Sequence, residues 1–262
     1  MIADHARLDG KTFIITGGTQ GLGAAIARFA AARGAAGLTI CGRNKEHGEA
    51  VAAELEEAGC PTLFVPGDLT RPEECKAVVS AHDRRFGNLH GLCNSAASTA
   101  RGTLESTTVE EWDEMFAINV RAPFLLMQGA VAIMKRGSHG GSIVNISSVS
   151  GHGGQTFLTA YSTSKGALDT LTRNAAHALK EHRIRVNSLD LGWMATEGEH
   201  AIQLLEGKPE NWLETADASS PFGEILRPDR VARLVAFLWS DDSLPMTGSC
   251  IDWDFLIVGA RD

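Results

Sequence analysis

Thr16-Gly17-Gly18-Thr19-Gln20-Gly21-Leu22-Gly23 follows a short β-rich apolar run at 13–16 and leads at once into an apolar helical segment at 24–32. A glycine where a strand turns into a helix permits a tight turn. A second lets backbone approach a pyrophosphate, and a third lets the helix pack closely on the sheet. The helix N-terminus adds unpaired N–H groups and a partial positive charge, the combination that binds phosphate. The chain has 28 glycines, so their number says little; their position directly after the first strand is what points to a phosphate cradle.

Outward from this stretch, short apolar runs alternate with longer helical ones. Candidate strands lie at 13–16, 38–41, 63–65, 89–93, 142–146, 185–189 and 249–253, and candidate helices at 22–32, 46–58, 72–86, 109–134, 159–181 and 230–238. Runs apolar on both faces suit buried parallel strands, and the alternation predicts an α/β fold: a single-domain, Rossmann-like doubly wound parallel sheet of about seven strands with helices on both faces. Thr70 with Pro72 and Glu73, and Thr108 with Glu111, read as helix starts with capping partners. The stretch 195–222 is polar and loop-rich, an insertion expected to cover a ligand.

At 262 residues and 44% hydrophobic content the chain can bury one large core, so one domain spanning 1–262 is expected. A net charge of −8 argues against a nucleic-acid partner, which calls for a basic face. No apolar run reaches the roughly 18 residues of a membrane span, and Asp4, His5 and Asp9 stand where a secretory leader would be apolar, so a cytoplasmic protein with no membrane partner is expected. The five cysteines are scattered and the histidines, among them His139, His152, His177 and His182, lack metal-binding spacing, so no metal site is predicted.

Tyr161 and Lys165 stand four apart in a predicted helix, which puts both side chains on one face. A phenol titrating near 10 is a poor base at neutral pH, and a neighbouring ammonium favours its ionised form. Tyr161 is the only tyrosine, and the pair follows a strand ending in Ser147-Ser148.

Together Thr-Gly-x-x-x-Gly-x-Gly and Tyr-x-x-x-Lys resemble the short-chain dehydrogenase/reductase family, and the resemblance runs along nearly the whole chain. It implies Asn119, Ser148, Tyr161 and Lys165 as the catalytic set, with Ser148 thirteen residues before the tyrosine. Ser148 would hold the substrate oxygen, Lys165 would also hold the nicotinamide ribose, and the Asn119 carbonyl, at a helix kink, would hold a proton-relaying water. Cofactor contacts are implied at Gly17, Thr19, Gln20, Gly21, Leu22 and Gly23; at Asp68 and Leu69 after the third strand; at Asn94 and Ala96 in Cys93-Asn94-Ser95-Ala96-Ala97; and at Gly192 and Thr196. Leu191 replaces the family's proline, Ala97 a glycine, and Asp252-Trp253-Asp254-Phe255 departs from its usual ending.

Cofactor choice is set at the end of the second strand, where an acid would bind the NAD ribose. Cys41-Gly42-Arg43-Asn44 offers none, and Arg43 suits a 2′-phosphate, so NADP(H) is favoured over NAD(H). The implied activity is hydride transfer between NADP(H) or NAD(H) and a small-molecule alcohol or carbonyl substrate, in a homotetramer or homodimer. The alternative is a catalytically silent dinucleotide-binding sensor, which would need the cradle but not the proton relay. Trp193, Met194, Trp212 and Phe222 are assigned no role.

Overall fold

The computed structural model describes residues 6–255 and 257; Asp4 and His5 lie outside them. Seven strands, β1 (Thr12–Thr16), β2 (Gly37–Gly42), β3 (Thr62–Pro66), β4 (Gly91–Asn94), β5 (Gly141–Ser148), β6 (Ile184–Leu191) and β7 (Cys250–Trp253), pair in parallel in the order β3-β2-β1-β4-β5-β6-β7. The chain winds outward from β1 to β3, then crosses back to lay β4 on the other side of β1. That reversal opens a crevice beyond the carboxyl ends of β1 and β4, where open α/β sheets bind ligands.

Period-two alternation along the strands feeds two cores. On one face Phe13, Ile15, Leu38, Ile40 and Leu189 pack against α1 (Gly21–Ala32), α2 (Lys45–Glu57) and α9 (Pro228–Trp239). On the other, Ile14, Leu92, Ile143 and Val186 meet α3 (Pro72–Phe86), α5 (Ala122–Gly137) and α6 (Thr159–Leu179). Each such fully buried side chain contributes about 1.5–3 kcal/mol, which makes the sheet a rigid platform for the loops at its edge.

Three sequence expectations change. The N-cap position of α3 falls on Arg71 and not on Thr70, and it makes no side-chain cap. Thr70 instead gives its N–H and hydroxyl to Asp68 Oδ1, at 3.0 and 2.8 Å, and so is unavailable as a cap. Thr108 and Glu111 do form a capping box, at the start of α4 (Val109–Phe116). The helix expected at 109–134 is interrupted by a π segment, Ala117–Arg121, before α5. The combined run Val109–Gly137 is long and apolar enough to meet the length and hydropathy criterion of a membrane span, with mean hydropathy 1.5 over its most apolar stretch, although no single apolar run was apparent in the sequence. Its apolar side chains Leu126, Ala130, Ile133 and Met134 serve the core. The stretch 195–222 is largely helical: α7 (Glu197–Leu205), capped by Thr196, and α8 (Trp212–Ser219).

Candidate active site

The cradle half of the cleft is built from segments that begin where strands end. Thr16 closes β1, and its hydroxyl accepts the N–H groups of Ser95 and Ala96 at 2.9 and 3.0 Å, drawing the loop after β4 against the loop after β1. Gly17 turns the chain at φ +66°, and a Cβ there would stand 3.0 Å from Ala96 Cα. At Gly23 an added Cβ would lie 2.2 Å from the Gly17 carbonyl oxygen, so helix α1 can start this close to the turn only with glycine. Gln20, Gly21, Leu22 and Gly23 line the cleft, and the first turn of α1 carries no acidic residue. Its N–H groups have no intrahelical acceptor and are available to an anion.

At the far end of this cradle, Gly42, Arg43, Asp68 and Leu69 line the wall. The two hydrogen bonds from Thr70 hold the Asp68 carboxyl below its ordinary range, with Arg43 adding to the effect. A Cβ at position 42 would lie 2.7 Å from Thr19 Cγ2, so Thr19 occupies the space that a side chain at 42 would need. The cleft, about 1250 Å³, and the side-chain-free turns at 17 and 23 fit a nicotinamide dinucleotide.

Ser148, Tyr161 and Lys165 line the other end. Tyr161 stands in the first turn of α6 and Lys165 one turn on, its Nζ 5.5 Å from the phenol ring centroid. Nζ is buried and donates to the Ile146 carbonyl at 2.8 Å. Burial lowers Lys165 to about 8, while the carboxylates of Asp169 and Asp190 act to raise it. The Tyr161 phenol is raised, first by burial and further by the Glu199 carboxylate, with hydrogen bonding to Ser148 working the other way. Burial decides the direction for the phenol, against the lowering expected from Lys165, whose Nζ donates to the Ile146 carbonyl. Ser148 Oγ donates to the Leu191 carbonyl at 3.2 Å and accepts the Ser150 N–H.

Asn119 sits in the π segment and is buried behind the cleft. Its Oδ1 accepts the Ser98 N–H, and its Nδ2 donates to the Ser98 carbonyl and Ser164 Oγ, at 2.9, 3.0 and 3.0 Å. Ser164 in turn donates to the Tyr161 carbonyl, so Asn119 ties the loop after β4 to the turn that carries Tyr161 and Lys165. Behind Lys165, Ser188 Oγ lies 3.0 Å from Asp169 Oδ1 and 2.9 Å from Asp190 Oδ1. Burial, then the Asp169 charge, raise Asp190 to about 7.

Of the residues singled out in the sequence, Gly17, Thr19, Ala96, Gly192 and Thr196 also border this cleft. Asn94 does not: it is buried within the sheet, where its Nδ2 donates to Asn145 Oδ1 at 2.8 Å. Ala97 is exposed on the cleft wall and is not among the residues with positive φ, so its methyl is tolerated. Leu191 is buried and still presents its carbonyl to Ser148. Trp193 and Met194 face the cleft, whereas Trp212 packs on Ala216 and Ile225 and Phe222 is exposed elsewhere. Sequence reading passed over Arg101, Glu199, Gln203 and Glu206, which line the end beyond Tyr161. Glu199, Gln203 and Glu206 are spaced i, i+4, i+7 along α7 and its C-cap, a helical face that could have been read had 195–222 been recognised as helix, whereas Arg101 joins them from a distant loop.

A parallel sheet with this crossover, a glycine cradle at its switch point and a Tyr-x-x-x-Lys helix beside it define a Rossmann-like dinucleotide-dependent oxidoreductase class. A family model described as enoyl-(acyl carrier protein) reductase matches residues 17–255. A 3-alpha-(or 20-beta)-hydroxysteroid dehydrogenase of Mycobacterium tuberculosis is 35% identical over 243 residues, 93% of this chain and 87% of the relative. An NADP-dependent (R)-specific alcohol dehydrogenase of Lentilactobacillus kefiri is 32% identical over 246 residues, 93% and 94% of the two chains. The crystal structure of L-sorbose reductase from Gluconobacter frateurii, complexed with NADPH and L-sorbose, superposes with a TM-score of 0.90 at 27% identity, covering 98% of this chain and 99% of that one. The chain belongs to the short-chain dehydrogenase/reductase family.

Proposed function

We propose that this protein is an NADP(H)-preferring oxidoreductase that interconverts an alcohol and a carbonyl compound, with Tyr161 as its general acid and base. The observation that carries the reading is the meeting, in one cleft, of a glycine cradle with Ser148, Tyr161 and Lys165. When bound, the nicotinamide supplies or accepts the hydride. Ser148 and Tyr161 hold the substrate oxygen between two hydroxyls. In reduction the phenol gives its proton to that oxygen, and in oxidation the tyrosinate takes it back. A raised phenol suits the first role, because it keeps the proton at neutral pH. Lys165 holds positive charge close to the phenol and stabilises the tyrosinate left after proton transfer.

NADP(H) preference rests on Arg43 at the cleft mouth and on the absence of an acid at position 42, and the NADPH and NADP named for two relatives are in keeping with it. Assembly as a homodimer or homotetramer is part of the same reading. The half-exposed Trp112 and Phe124, on α4 and α5, fit a face covered by a second copy.

The test is cofactor binding by nucleotide fluorescence together with absorbance of the reduced nicotinamide across a panel of alcohols and carbonyls. Turnover, with NADPH bound at least tenfold more tightly than NADH, is expected. Arg43→Asp should remove most of that difference. Failure to bind either nucleotide, or an equal effect of Arg43→Asp on both, contradicts the corresponding part of the reading.

A further inference from the structure

Beyond Tyr161 and Ser148 the cleft is closed by the loop carrying Arg101, the segment at Phe157 and helix α7, with Trp193 between them. Glu199 is the centre of this end. Its Oε1 receives three donors: Gln203 Nε2 at 2.7 Å, the Trp193 indole N–H at 2.8 Å and Arg101 Nη2 at 3.5 Å. Arg101 also pairs with Glu206 at 2.6 Å and lies over the Phe157 ring. Glu199 Oε2 receives no hydrogen bond among the described residues. One carboxylate oxygen is thus fixed by the protein and the other is left over, in a side chain that lines the cleft and is near enough to Tyr161 to raise its phenol.

From this arrangement, and resting on the oxidoreductase reading above, we infer that the substrate is an uncharged polyhydroxylated alcohol–ketone pair, whose hydroxyl next to the reacting carbon donates to Glu199 Oε2. An apolar substrate would strip water from that oxygen and return nothing, at the cost of an unpaired charge. An anionic one would meet Glu199 and Glu206 together, with Arg101 already paired to both and, among the described residues at that end, Lys208 alone left to offset them. The exposed face of Trp193, stacked on Trp212 at 5.4 Å, gives the C–H side of such a chain a flat apolar support. Arg101, whose guanidinium has N–H groups beyond those given to Glu199 and Glu206, is left as a donor for its further hydroxyls.

The experiment compares NADP⁺-dependent oxidation of two hexitols, D-sorbitol and D-mannitol, with that of 2-hexanol, a 3-hydroxysteroid and a 2-hydroxy acid. At least one hexitol is expected to exceed 2-hexanol by about 100-fold or more in kcat/KM, since a site built around a substrate hydroxyl rejects analogues that lack it. Glu199→Gln should narrow that ratio by about tenfold or more, the scale of a lost hydrogen bond to a charged group. Glu206→Gln, on the same helix, should narrow it less. A preference for 2-hexanol, the steroid or the hydroxy acid overturns the inference and leaves the oxidoreductase reading standing. So does a Glu199→Gln variant that loses efficiency equally on hexitol and hexanol. No turnover of any substrate by a protein that binds neither nucleotide overturns both.

Discussion

Ser188 offers one hydroxyl proton to two buried carboxylates, and the shortfall falls on Asp190, which is fully buried and whose Oδ2 has no partner among the described residues. Holding its carboxyl at about 7 against an ordinary 3.8 means that, between about pH 4 and pH 7, the folded chain keeps a proton that the unfolded chain has released. This group's contribution to stability is full below that window and is lost as pH rises through it. Asp190→Asn cannot ionise, so it should remove that part of the slope and melt at higher temperature than the parent above pH 7. The same substitution withdraws a negative charge that supports the Lys165 ammonium, so the alkaline limb of the activity profile should move to lower pH than in the parent. Thermal melts and kcat–pH profiles of the two proteins check both points; coincident curves would contradict them. None of this was legible in the sequence, where Asp169 and Asp190 lie on a helix and a strand 21 positions apart with no pattern joining them.

The elements that could be read from the sequence are those whose cause is local. Helix α1 and its turn follow from glycines placed within a few residues of one another, and the α4 capping box is complete within four residues. The π segment Ala117–Arg121 was hidden, because the apolar pattern continues across it and, beside a contact to Met115 Sδ one turn back, the bonds of Asn119 go to the distant Ser98 and Ser164. Asn119→Ala should leave buried groups at Ser98 unsatisfied, costing about 1–3 kcal/mol by chemical denaturation, and should lower kcat more than it raises cofactor KM. An unchanged stability would mean that these bonds do not hold the loop. Gly23→Ala tests the cradle at the same scale. With a Cβ 2.2 Å from the Gly17 carbonyl, α1 must back away from the turn, and nicotinamide nucleotide affinity should fall tenfold or more in fluorescence titrations. Parent-like affinity would show that the close approach of helix and turn is not required.

Across the whole molecule, the reversal of strand order gathers the ends of β1, β2, β4, β5 and β6 around one crevice. The cofactor half was legible because the strand–turn–helix that cradles phosphate is continuous in sequence, and the catalytic pair because four residues make one helical turn. The substrate half draws Arg101, Phe157, Trp193 and Glu199 from distant segments, and only the folded chain unites them. What binds both halves into one function is the Tyr161 proton. Tyr161→Phe keeps the ring and the lysine beside it while removing the hydroxyl. Single-turnover oxidation of bound NADPH by a carbonyl substrate, followed at the nicotinamide absorbance alongside NADPH affinity, measures this directly. The account predicts a rate at least about 1000-fold below the parent, in the range of a lost general acid, with affinity within a few fold; a rate near the parent's would contradict it.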